Sequence, residues 1–112
     1  MSLQIKSIFS ENSKQWNVYL DGEIDVYTAE KLKTELNKLI SEKKEAIQIH
    51  GENLQYIDST GLGVLIGIYK QICEEEKHII VKNIKPSIKK LFVITGLDKV
   101  FKIVEWENIR SY

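Results

Sequence analysis

Residues 46–82, AIQIHGENLQYIDSTGLGVLIGIYKQICEEEKHIIVK, decide the fold class. Ala46 to His50 reads as a short strand with Ile47 and Ile49 on one face. Gly51 to Tyr56 then leads into Ile57-Asp58-Ser59-Thr60-Gly61. Beyond it Leu62, Leu65, Ile66, Tyr69, Ile72 and Cys73 recur at helical spacing, which predicts a helix from Thr60 to Glu76. His78 to Lys82 is β-branched and returns to a strand. Strand, helix and strand in succession make a crossover unit, the connection that joins parallel neighbours in one sheet.

Toward the N-terminus, Leu3, Ile5 and Phe9 alternate with Gln4 and Lys6, and a polar turn follows at Glu11-Asn12-Ser13-Lys14. Trp16, Val18 and Leu20 alternate with Asn17, Tyr19 and Asp21, giving a second strand that ends at Asp21-Gly22 and closes a hairpin. From Thr28 the period changes. Ala29, Leu32, Leu36, Leu39 and Ile40 form the buried stripe of an amphipathic helix, which ends in the charged stretch Ser41 to Glu45. Asp25 or Thr28 is positioned to cap its start. Toward the C-terminus, Pro86 suits the first turn of a helix, Ile88, Leu91 and Phe92 supply its apolar face, and Gly96 stops it. Val100 to Val104 reads as a last strand before a tail containing Trp106 and Ile109. The order β-β-α-β-α-β-α-β predicts an α/β domain with a mixed sheet, and 112 residues suffice for one such domain, 1–112, but not for two.

Composition narrows the function. Sixteen basic and 16 acidic side chains cancel, and Arg110 is the only arginine, so the electrostatic footprint of a nucleic-acid binder is missing. The lone Cys73 excludes an internal disulfide framework and fits a reducing compartment. Cys73 itself lies on a helical apolar stripe and reads as a small core residue. The first residues, Met1 to Lys6, show no signal-peptide pattern, and the run Gly61 to Tyr69 is far short of the about 20 residues that cross a bilayer as a helix. A soluble cytoplasmic protein is expected, with no membrane partner. Clusters such as Lys89-Lys90 read as solvated helix faces.

The segment with chemical content is Ile57-Asp58-Ser59-Thr60-Gly61-Leu62-Gly63-Val64-Leu65. Asp, Ser and Thr at the start of a helix accept hydrogen bonds from its orphan N–H groups, so one reading is simply an N-cap. The other rests on Gly61 and Gly63, which cost about 1 kcal/mol each in helix propensity relative to alanine. Glycine at those positions leaves the hydroxyls uncovered and lets another molecule's backbone approach. Gly63 and Gly67, four apart, read as close packing of helix on sheet.

Ile57-Asp58-Ser59-Thr60-Gly61-Leu62-Gly63-Val64 resembles the phosphorylation-site motif of anti-sigma factor antagonists, the single-domain members of the STAS group. Gly22-Glu23-Ile24-Asp25-Val26-Tyr27-Thr28-Ala29 resembles the segment that precedes their first long helix, and Ile94-Thr95-Gly96-Leu97 a third segment after the Pro86 helix. The likeness spans essentially the whole chain and is nearest the general stress-response type. It implies that Ser59 is phosphorylated, with Thr60 as the competing acceptor, and that the chain is a substrate rather than an enzyme and needs no cofactor. It implies a partner switch. The unmodified form binds an anti-sigma factor that is also an ATP-dependent serine kinase, freeing a sigma factor; a metal-dependent serine phosphatase reverses the modification. Asp58, Ser59, Thr60, Gly61 and Gly63, with Glu23 and Asp25 near the same edge, are the expected partner-binding residues.

Other chemistries fit less well. A nucleophile elbow needs glycine two before the serine, where this chain has Ile57. His50 and His78 read as strand-edge residues, and two histidines with one cysteine make no metal-ligand set. A two-component receiver phosphorylated on Asp58 would need an acidic pair after the first strand, where only Glu11 stands, and would not open with a hairpin. A STAS scaffold that is never phosphorylated is the remaining alternative.

Overall fold

The computed structural model describes residues 2–105. Trp106, Ile109 and Arg110 lie outside them. The elements follow the expected order: β1 (Leu3–Ser10), β2 (Gln15–Ile24), α1 (Ala29–Glu42), β3 (Ala46–Ile57), α2 (Ser59–Ile72), β4 (Ile79–Lys82), α3 (Pro86–Ile94) and β5 (Lys102–Val104), with single 3₁₀ turns at Cys73–Glu75 and Leu97–Lys99. The five strands lie in one sheet in the order β1-β2-β3-β4-β5. The β1–β2 hairpin is antiparallel and every other pairing is parallel.

Alternation along the strands assigns the two faces. Val18, Leu20, Ile47, Ile49, Ile79 and Val81 are buried beneath the helices, and Leu32, Leu36, Leu65, Ile68, Ile72 and Phe92 meet them from above. The opposite face of the sheet carries Asn17, Gln48, His50, Ile80 and Lys82, all half-buried, and the exposed Tyr19. Parallel strands are usually covered on both faces; here, among the described residues, the second face is left to side chains that stack and hydrogen-bond on their own. His50 stacks on Tyr19 with ring centroids 4.2 Å apart, and its Nε2 meets Asn17 Oδ1 at 2.9 Å. His50 is thus inside β3 and not at a strand edge.

Two strands run further than their local sequence suggests. β2 does not stop at Asp21-Gly22, nor β3 at His50; they pair onward to Ile24 and Ile57, with register shifts between Tyr19 and Asp21 and between Gly22 and Glu23. Glycine and polar residues inside a strand here mark irregularity and close approach rather than its end. Gly22 has φ +125°, and a Cβ on it would lie 2.2 Å from the Ser2 carbonyl oxygen. Gly51 is buried where a Cβ would come within 2.5 Å of Ile84 Cγ2. The extension brings the C-terminal ends of β2 and β3 out side by side.

The helices need smaller corrections. The buried face of α2 is Leu62, Leu65, Ile68 and Ile72; Ile66 and Tyr69 are only partly covered. Cys73 falls in the 3₁₀ turn after α2 and is half-buried, so it is not a core residue. Gly63 and Gly67 do not face the sheet. Both are exposed, with nothing within 4 Å of an added Cβ, and they line an open groove between α1 and α2 with Ala29, Lys33 and Thr60. Gly96, at φ +76°, ends α3 as expected. Lys89 on α3 pairs with Glu105 rather than standing free.

Candidate functional site

Asp58 leaves β3 in an extended conformation and becomes the N-cap of α2. Its backbone N–H donates to the Ile24 carbonyl at 3.1 Å, tying it to the end of β2. Its Oδ1 accepts from the N–H groups of Thr60 at 2.9 Å and Gly61 at 3.2 Å, and its carbonyl accepts from Leu62 N–H at 3.0 Å. The cap therefore consumes most of the orphan donors of this helix end. The Asp58 carboxylate is occupied as a cap, while Ser59 and Thr60, the first two helical residues, are exposed. The structure thus assigns capping to Asp58 and leaves both hydroxyls accessible.

The preceding loop borders the same end. Asp25 is buried, and its Oδ1 accepts from the N–H groups of Tyr27 at 2.9 Å and Thr28 at 3.1 Å. Thr28 makes no side-chain cap; its hydroxyl donates to the Glu23 carbonyl at 2.8 Å and accepts from Asp25 N–H at 2.9 Å. Of the two candidate caps, Asp25 supplies the bonds, and it does so from inside the turn. Glu23 is half-buried, and its Oε1 is covered without a hydrogen-bond partner among the described residues.

Gly61 is also buried. A Cβ there would sit 2.5 Å from Ile24 Cγ2 and 2.7 Å from Ile57 Cγ1, so this glycine lets α2 seat on the strand ends. Asp25 and Gly61 thus shape the site from within, whereas Ser59, Thr60 and Gly63 present its surface. The pair Val26 and Tyr27, 64% and 84% exposed, joins that surface and escaped the sequence reading. The available signal was two apolar residues enclosed by Asp25 and Thr28 in a turn.

The receiver reading does not fit this topology. His50 belongs to the open sheet face, and among the described residues no group of three or more His, Cys, Asp or Glu is arranged to hold a metal ion. Glu11 lies in the β1–β2 turn, paired with Lys43 and Lys14, which lower its carboxyl below the usual range. A receiver sheet is parallel, with its first strand between the second and third; here β1 is an antiparallel edge strand.

A mixed sheet of this order, with a capped helix start presenting hydroxyls at one end, defines a STAS-type regulatory module, and residues 10–108 match the family described as STAS domain. The chain is 32% identical over 109 residues to the anti-sigma-B factor antagonist of Staphylococcus aureus (strain NCTC 8325 / PS 47), covering 97% of this chain and 99% of that protein. It belongs to the anti-sigma factor antagonist family of STAS proteins. Among solved structures, an anti-sigma factor antagonist from Mycobacterium paratuberculosis superposes with a TM-score of 0.83 at 23% identity, over 96% of this chain and 89% of that one. The Bacillus cell fate determinant SpoIIAA in its phosphorylated form superposes with a TM-score of 0.67 at 22% identity, over 91% of this chain and 90% of that one. At these identities the structural likeness is one of fold. None of the helices among the described residues is long and apolar enough to cross a membrane.

Proposed function

We propose that this chain, acting as one domain over residues 1–112 in the cytoplasm, is a phosphorylation-controlled binding partner and not an enzyme. Its unmodified form binds an anti-sigma factor that is also an ATP-dependent serine kinase, and a sigma factor is released. Phosphorylation of Ser59 by that kinase ends the interaction, and a metal-dependent serine phosphatase restores it. The observation that carries this reading is the exposed Ser59 hydroxyl at the first position of a helix already capped by Asp58. That one family member has been solved in a phosphorylated form supports it.

Phosphate adds about −1.5 to −2 charge at neutral pH. It would stand beside the Asp58 carboxylate, so binding a partner surface that tolerates one anion becomes unfavourable with two. Unit charges 4 Å apart interact by about 1 kcal/mol in water and about 4 kcal/mol at an effective dielectric of 20. Binding is therefore expected to weaken by about tenfold to several hundredfold. Half-buried Glu23 and exposed Thr60 and Gly63 complete the proposed contact surface.

The test is phosphate transfer from ATP by the kinase to the wild type, Ser59→Ala and Thr60→Ala. Incorporation is expected to vanish in Ser59→Ala and persist in Thr60→Ala, as acid-stable label. Ser59→Asp is expected to bind the kinase more weakly than wild type. Undiminished labelling of Ser59→Ala would overturn the assignment, and acid-labile label released by hydroxylamine would favour Asp58.

A further inference from the structure

The turn between β2 and α1 is built to hold two apolar side chains in water. Tyr27 is 84% exposed and Val26 64% exposed, yet the backbone beneath them is fixed by the hydrogen bonds of Asp25 and Thr28. Scattered exposed hydrophobic residues are ordinary. A rigidly presented aromatic beside a second apolar residue is different, because its ordering has already been paid for before any partner arrives.

Position identifies the occupant. Ile24 O is bonded to Asp58 N–H at one end of this turn, and at the other Ala29 lines the same groove as Thr60. The turn is therefore bracketed by residues that touch the Ser59 site. A specific protein complex covers about 800 Å² on each partner, a disc of about 16 Å radius. A protein that seats its reactive centre on Ser59 with that footprint has the reach to cover Val26 and Tyr27 as well.

We propose that Tyr27, flanked by Val26, is the aromatic anchor by which the kinase that modifies Ser59 grips this chain. The proposal rests on the reading of Ser59 as the phosphorylated residue. Tyrosine suits the role: it buries a large area at the loss of few rotors, and its hydroxyl can stay wet. The anchor acts on binding and not on phosphate transfer.

The experiment uses the full chain and the purified anti-sigma kinase that labels it, with binding and steady-state phosphorylation measured for wild type, Tyr27→Ala, Tyr27→Phe and Ile94→Ala. Ile94 is the control: it is 69% exposed, but it ends α3, which runs back from the Ser59 end of the sheet. Tyr27→Ala is expected to bind about 10- to 100-fold more weakly and to raise KM with kcat nearly unchanged. Tyr27→Phe is expected to stay within about threefold of wild type, since most of the buried area is retained, and Ile94→Ala to match wild type. Labelling of wild type at a residue other than Ser59 overturns both the Ser59 reading and the anchor. With Ser59 labelled normally, Tyr27→Ala binding as wild type, or Ile94→Ala losing as much as Tyr27→Ala, overturns the anchor alone. Melting curves of the variants matching wild type exclude misfolding, as expected for a side chain with so little burial.

Discussion

Gly61 and Gly63 are two residues apart in α2 yet meet different surroundings. Gly61 is pressed against Ile24 and Ile57, where a methyl group has no room, while Gly63 faces open space. Gly61→Ala is expected to destabilise the domain by about 1–3 kcal/mol through overpacking. Gly63→Ala is expected to stabilise it by about 0.5–1 kcal/mol, because only the helix-propensity difference remains. Urea titration of both variants checks the opposite signs; equal effects would mean that the two positions are packed alike. The sequence exposes that both residues are glycine but not which has a neighbour. The same limit applied to Asp25: its type announced a turn, and only the fold shows it buried with its carboxylate turned inward. The short polar run at Asp58-Ser59-Thr60 was legible as the start of a helix, but its local pattern left a cap and an exposed hydroxyl equally open, and only the family resemblance singled out Ser59. Val26 and Tyr27 were not legible, since apolar residues are read as core until the chain turns them outward.

At the scale of elements, the helices and the succession of elements along the chain were legible from periodicity, and the strand lengths were not. β3 contains Gly51, Glu52 and Asn53, a composition that reads as a loop, yet it continues to Ile57 because β2 supplies a partner for its backbone groups. Pairing between segments far apart in sequence overrides local preference in this way. Its result is functional, since without the added residues Ile24 and Ile57 would not bring the two loops together. The open face of β3 carries a titratable consequence. Burial pushes the His50 imidazole below the ordinary histidine range, Glu52 opposes that shift and Lys82 reinforces it. A histidine depressed in the folded state takes up its proton more readily when unfolded. Stability is therefore full above about pH 6.5 and is lost as the pH falls toward His50's own lower value. Urea unfolding from pH 8 to pH 5 is expected to show this decline, and His50→Gln to reduce it. An imidazole signal titrating above the ordinary value by NMR would refute the sign.

At the scale of the whole molecule, the question is whether a phosphate on Ser59 rearranges the domain or only its surface. α2 is held by Leu62, Leu65, Ile68 and Ile72 in the core, and the sheet beneath it by pairings that do not involve Ser59. The phosphate meets opposing local effects. A helix N-terminus favours an anion by about 0.3–1 kcal/mol at an exposed site. The Asp58 carboxylate beside it repels the anion by about 1 kcal/mol or more, and it already holds the Thr60 and Gly61 N–H groups that a phosphate would seek. The net change is of the order of 1 kcal/mol, against about 5–15 kcal/mol for unfolding a domain of ordinary stability. Binding is in a different position, because the partner must desolvate the new charge. The phosphorylated chain is therefore expected to keep its fold and melt within about 8 °C of the unmodified one, while its hold on the kinase falls by at least about tenfold. Calorimetry with amide-exchange NMR on the two forms decides this. Changed protection confined to the turn before α1 and the first turn of α2 is the expected pattern; loss of protection in β2 and β3 would mean that the phosphate acts by melting the sheet.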